Sequence, residues 1–182
     1  KYMFPKAHAA AYVMMAFRIA YFKVNHPLAF YATYFSTKGL AAFDAWTVLK
    51  GREYVASTMN DIKAKGKEAT AKEYEQYVIM EVALEAMARG VKFYPVDLYK
   101  SKAFNFTINK ETNDGLICPF NSVQGLGGVV AHKIFEEAQK SEFISIEDFK
   151  DRTKASKNVI EVLSTMGTLK ALPQTDQLVF FE

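Results

Sequence analysis

The sequence predicts a mostly α-helical protein with one small β unit, and three observations carry that prediction. Apolar residues recur at helical spacing through most of residues 1–90. From Val91 the period changes to alternation, with the turn residues Asn113-Asp114-Gly115 behind it. Beyond Pro119 the helical spacing returns, opened by Gly125-Leu-Gly-Gly128. Half of the 182 residues are apolar, enough to bury a core in one domain or two small ones.

The first element is one long helix, expected to be buried, running without a breaker from Tyr2 to Lys23. His8, Tyr12, Met15, Ile19 and Phe22 fill one side, and Val13, Phe17, Ala20 and Val24 another. Pro5 suits its first turn, where a missing N–H costs nothing. Lys6 and His8 then fall at the positive end of the macrodipole, where a carboxylate is the favoured residue. An anion at the helix start resolves that inversion, with free N–H groups, Lys6 and His8 converging on a phosphate-sized group. A surface lysine and a hydrogen-bonded histidine account for it equally well.

Asn25-His26-Pro27 breaks this helix, because proline disfavours helical geometry in the residue before it. A second helix covers the aromatic-rich Leu28–Phe35, and residues 36–39 read as a loop. Leu40–Ala64 is helical with an interruption at Gly51. A polar connector follows, and Thr70 with Glu73 has capping-box spacing for a helix that carries Tyr74, Tyr77, Met80 and Leu84 and stops at Gly90. Phe93, Val96 and Leu98, then Phe104, Phe106 and Ile108, alternate as half-buried strands do, and Leu116–Cys118 is the return strand.

Residues 119–135 have the pattern of a helix-hairpin-helix, in which two helices flank a Gly-x-Gly turn. Glycine suits that turn for unusual φ values and for close approach of a phosphate to backbone N–H groups. Gly125 and Gly127 are the first candidates, with Gly128, His132 and Lys133 behind them. A second helical pair follows from Ile144 to Gly167, and Lys150, Arg152, Lys154 and Lys157 cluster between its helices. Lys154 and Lys157 are added to the phosphate candidates. The plainer reading is a turn that merely opens a helix, beside a solvated charge run. No βαβ pattern surrounds the glycines, which argues against a dinucleotide fingerprint.

Composition excludes several classes. Cys118 is the only cysteine and there are three histidines, so neither an internal disulfide nor zinc-ligand spacing exists. A net charge of +3 permits a polyanion partner without demanding one. The apolar stretches are too short to span a bilayer and lack a signal-peptide pattern, so a reducing, cytoplasmic setting without a membrane is expected.

The segment Tyr2-Met-Phe-Pro-Lys-Ala-His-Ala-Ala-Ala-Tyr12, with Arg18-Ile-Ala-Tyr-Phe-Lys23 and His26-Pro-Leu-Ala-Phe-Tyr-Ala32, closely resembles the fingers region of C-family bacterial replicative DNA polymerases of the PolC type. The resemblance continues through Val96-Asp-Leu-Tyr-Lys-Ser101 into the hairpin motif. It implies fingers helices plus a helix-hairpin-helix duplex-binding domain. The implied division is fingers and connecting helices over residues 1–90, a duplex-DNA-binding domain over 91–172, and a clamp-binding tail over 173–182. It further implies that Lys6, His8, Tyr12 and Arg18 help hold an incoming deoxynucleoside triphosphate. The implied partners are primer–template duplex DNA, the sliding clamp and the rest of a polymerase chain. The Mg2+ ions of such an enzyme would sit in a palm domain, whose paired carboxylates have no counterpart here, so no catalytic residue, metal site or cofactor is expected in this stretch. The chain reads as the C-terminal fragment of something larger, inactive alone.

Gln177-Leu-Val-Phe-Phe181 resembles a sliding-clamp-binding pentapeptide, departing from it at Val179-Phe180. Leu178, Phe180 and Phe181 would fill an apolar cleft and Gln177 would bond at its rim. A final strand packed on its own domain is the alternative. Two readings from other classes stay open for the whole chain: a non-enzymatic helix-hairpin-helix DNA-binding adaptor, and a helical interaction domain without DNA.

Overall fold

A computed structural model describes residues 5–39 and 42–175. It contains eight α-helices among the described residues: α1 (Lys6–Asn25), α2 (Pro27–Lys38), α3 (Ala45–Leu49), α4 (Arg52–Lys65), α5 (Ala71–Ala88), α6 (Gly128–Lys140), α7 (Ile146–Thr153) and α8 (Lys157–Thr165). Three short strands, β1 (Lys92–Tyr94), β2 (Thr107–Ile108) and β3 (Gly115–Ile117), form one sheet in the order β1-β3-β2. The mostly helical fold with one small β unit is therefore present.

Local chemistry fixes most boundaries. Pro27 opens α2 at its first position, where a missing N–H is harmless. Gly51 separates α3 from α4 at φ +93°, a conformation that side chains rarely adopt. Thr70 and Glu73 complete a reciprocal capping box on α5. Gly90, at φ +83°, turns the chain into β1. Gly115 serves close approach instead: a Cβ there would stand 2.3 Å from the Lys92 carbonyl of the parallel strand.

Four expectations need correction. Pro5 is the N-cap of α1 rather than part of its first turn. The loop expected at residues 36–39 is helical to Lys38, because the Ser36 and Thr37 hydroxyls fold back onto the carbonyls of Ala32 and Thr33 and leave the ladder intact. Val96, Leu98 and Phe106 are buried as the alternation implied, yet they sit on irregular chain rather than in strands. The Asp97 carboxylate takes the N–H groups of Tyr99 and Lys100, which turns the chain before a ladder can form.

The fourth correction is the largest. No residue of α1 is buried, and Phe17 is 73% exposed. Only Lys23, in the last turn, is less than exposed; it pairs with Glu85 of α5 at 2.8 Å and lies over the Phe30 ring. The helix is apolar on every side, so its pattern selects no face, and the described chain offers it a neighbour only near its end.

The core runs continuously from Tyr31 to Leu169 and crosses residue 90. Its centre is aromatic: the Phe35 ring meets Phe43, Phe93 and Phe106 at centroid distances of 5.2, 5.5 and 5.6 Å. Ser36 adds a polar tie across the same join, accepting the Phe106 N–H at 2.9 Å. The sheet and the helices after it are thereby fixed to α2.

Candidate nucleic-acid interface

Two turns of similar geometry follow one another. The first runs from a 3-10 turn at Phe120–Ser122 through Gly125 to α6. The second runs from α7 through Lys154 to α8. Gly125 has φ +81° and Lys154 has φ +57°, and the residue after each, Leu126 and Ala155, is buried. The next residue in each turn, Gly127 or Ser156, is the N-cap of the helix that follows. A single positive-φ residue thus reverses the chain, a small apolar plug anchors the reversal, and a helix N-terminus emerges at the surface.

The two N-termini differ in what they leave open. Ser156 caps α8 through the Val159 N–H. Gly127 has no side chain to cap with, so the first amides of α6 have no helical acceptor and point outward. A Cβ on Gly127 would meet nothing within 4 Å, which is the open space an approaching phosphate needs. Its φ of −67° is ordinary, so only Gly125 of the pair requires an unusual conformation. Gly128 has a packing reason, since a Cβ there would stand 3.2 Å from the Phe104 ring.

The predicted residues are brought together around these turns. Gly128, Lys133 and Lys154 line one surface groove of about 590 Å³ with Phe104, Val129 and His132. A Cβ on Gly125 would stand 3.7 Å from the amide nitrogen of Asn158, one residue beyond Lys157, so the first turn lies beside the helix that the second opens. Lys154 and Lys157 are exposed and make no ion pair among the described residues. Lys133 is paired with Glu137 at 3.2 Å, and His132 stands 3.5 Å from Glu136.

Arg152 must be removed from the solvent-facing cluster. Its guanidinium donates to the carbonyls of Glu137, Ser141 and Glu142 and to the carboxylates of Glu137 and Asp148, and it stacks on Phe143. It clasps the end of α6 to α7. Glu137 is the hub of that clasp, bound by Lys140 at 2.7 Å, Lys133 at 3.2 Å and Arg152 at 3.3 Å. These cations, Lys140 foremost, hold its carboxyl down to about 2. A depressed carboxylate stabilises the fold fully above its ordinary value of 4.5 and loses that contribution as pH falls toward 2. Urea midpoints measured from about pH 5 down to about pH 2 should therefore fall more steeply for the natural chain than for Glu137→Gln.

Along α1, His8 and Tyr12 share a face, their rings 4.6 Å apart. Lys6 belongs to the same turn as His8, and both are exposed. Arg18 stands about 18 Å further along the axis, its guanidinium at Met14 Sδ. Gln177, Leu178, Phe180 and Phe181 lie outside the described residues. Among the described residues no group of three or more His, Cys, Asp or Glu is placed to hold a metal ion, and no helix is long and apolar enough to cross a membrane.

Sequence reasoning missed Gln124, Lys72 and Asn158 at this surface. Lys72 donates to the Gln124 side chain at 3.3 Å across 52 residues of sequence, and no local spacing signals such a contact.

This pair of turns, each delivering a helix N-terminus beside unpaired lysines, defines a helix-hairpin-helix protein, and residues 90–178 match the helix-hairpin-helix motif family. The chain as a whole belongs to the PolC-type DNA polymerase III family. Over its entire length it is 51% identical to the DNA polymerase III PolC-type of Caldanaerobacter subterraneus subsp. tengcongensis, 49% to that of Listeria innocua and 48% to that of Bacillus subtilis. It spans 12–13% of the length of those relatives.

Proposed function

We propose that this chain is the part of a template-directed DNA polymerase that holds the primer–template duplex and contributes to the incoming-nucleotide site. The observation that carries the reading is the back-to-back placement of the two hairpins, with Gly125 beside Asn158 and Lys154 beside Gly128. Two phosphate-sized sites set side by side suit two positions on a DNA backbone, and contacts of that kind hold duplex without reading sequence. Lys154 and Lys157 add charge there.

The division into fingers helices (1–90), duplex-binding domain (91–172) and tail (173–182) belongs to this reading. Lys6, His8 and Tyr12 suit the phosphates or base of a deoxynucleoside triphosphate, with Arg18 further from the helix start. Gln177, Leu178, Phe180 and Phe181 tether the chain to a sliding clamp. The setting is cytoplasmic, and the nucleotidyl transfer itself, with its Mg2+ ions, belongs to the rest of the polymerase.

Fluorescence anisotropy with a labelled primer–template duplex across a salt series tests the duplex reading. Affinity should fall steeply with salt, and Lys154→Ala, Lys157→Ala together should lower the slope of log K against log salt by about two units. An unchanged slope in the double variant would remove these lysines from the interface.

A further inference from the structure

Beside the first hairpin lies a cleft of about 410 Å³ that the duplex contacts leave unused. Trp46 forms one wall, Val123 and Met166 line it with apolar surface, and Gln124, Asn158 and Glu161 present polar groups. The indole is 42% exposed, and the Lys50 ammonium, which takes no part in the lining, lies 5.0 Å from its centroid and 4.2 Å from that of Tyr54. That cation packs against both rings. At the rim, Lys72 reaches the Gln124 side chain from the first turn of α5. Gln124 immediately precedes Gly125, and a Cβ on Gly125 would stand 3.7 Å from the Asn158 amide nitrogen, so the cleft adjoins the first turn.

We propose that this cleft takes one unpaired nucleobase of the bound DNA, stacked on Trp46, with the adjoining phosphate passing over Lys72. An aromatic wall with a neighbouring cation is the chemistry that holds single-stranded nucleic acid without sequence preference. The amides of Gln124 and Asn158 and the Glu161 carboxylate offer donors and acceptors to base edges, while an acidic wall disfavours a phosphate inside. The phosphate therefore stays at the rim, where the positive charge is. This inference rests on the hairpins holding DNA.

Trp46 is the only tryptophan, so its own fluorescence reports the site. The 182-residue chain is titrated with two DNAs of equal duplex length, one blunt and one carrying a short unpaired extension. Quenching on binding the extended DNA but not the blunt one is expected. Trp46→Leu, checked by circular dichroism, should weaken the extended DNA about fivefold or more and leave the blunt one unchanged. Lys72→Gln should lower the salt slope by about one unit for the extended DNA alone. Salt-sensitive binding of both DNAs with equal affinity and no quenching overturns the base cleft while the hairpin reading stands. Binding of neither overturns both.

Discussion

Replacing Gly127 by valine leaves the fold intact and weakens duplex DNA binding by about ten- to a hundredfold, the loss of charge-assisted contacts of about 1.5–3 kcal/mol. Gly127 has an extended backbone, φ −67° and ψ 151°, that valine adopts without strain. A Cβ there touches no atom of the protein within 4 Å, so the new side chain disturbs only what comes from outside. Gly125→Val cannot serve the same purpose, because φ +81° strains any branched residue and the variant would lose stability before it lost a ligand. Thermal melting and anisotropy on the Gly127 variant separate the two effects. An unchanged melt with unchanged affinity would deny the α6 N-terminus any phosphate.

Phe35→Ala should cost about 3–5 kcal/mol, lowering the melting temperature by roughly 6–20 °C. The ring is fully buried and lies against Tyr31, Tyr34, Phe43, Phe93 and Phe106, side chains drawn from both sides of residue 90. Removing it opens a cavity at the join. Because the core is continuous there, the natural chain and the variant should each unfold in one transition. A variant in which residues 91–172 melted separately and at an unchanged temperature would show that the hairpins do not depend on α2 for support.

What was legible in the sequence was whatever local chemistry decides. Gly51, Gly90 and Gly125 mark positive-φ turns, and Thr70 with Glu73 marks a helix start, because each requirement is met within four residues. The hairpin glycines and Lys154 were legible as a motif, although the separate reasons for Gly125, Gly127 and Gly128 emerged only from the backbone angles and from the Phe104 ring. The exposure of α1 was not legible, since an all-round apolar pattern states that a helix seeks partners without stating that any are present. The place of Arg152 apart from the charged cluster was not legible, because its partners, Glu137, Ser141 and Glu142, meet it only when α6 and α7 pack. Lys72, Trp46 and Asn158 reach the first hairpin from three separate helices, so nothing in their own surroundings announced them.

The most direct test of the central claim, that the two hairpins form one phosphate-binding face, is amide chemical-shift mapping as primer–template duplex is added to the isotopically labelled chain. The expected result is that the amides of Gly127, Gly128 and Val129 and those of Ser156, Lys157 and Asn158 shift together, along one binding curve, and return as salt is raised. Movement confined to one hairpin, or to neither while duplex binds, would contradict it.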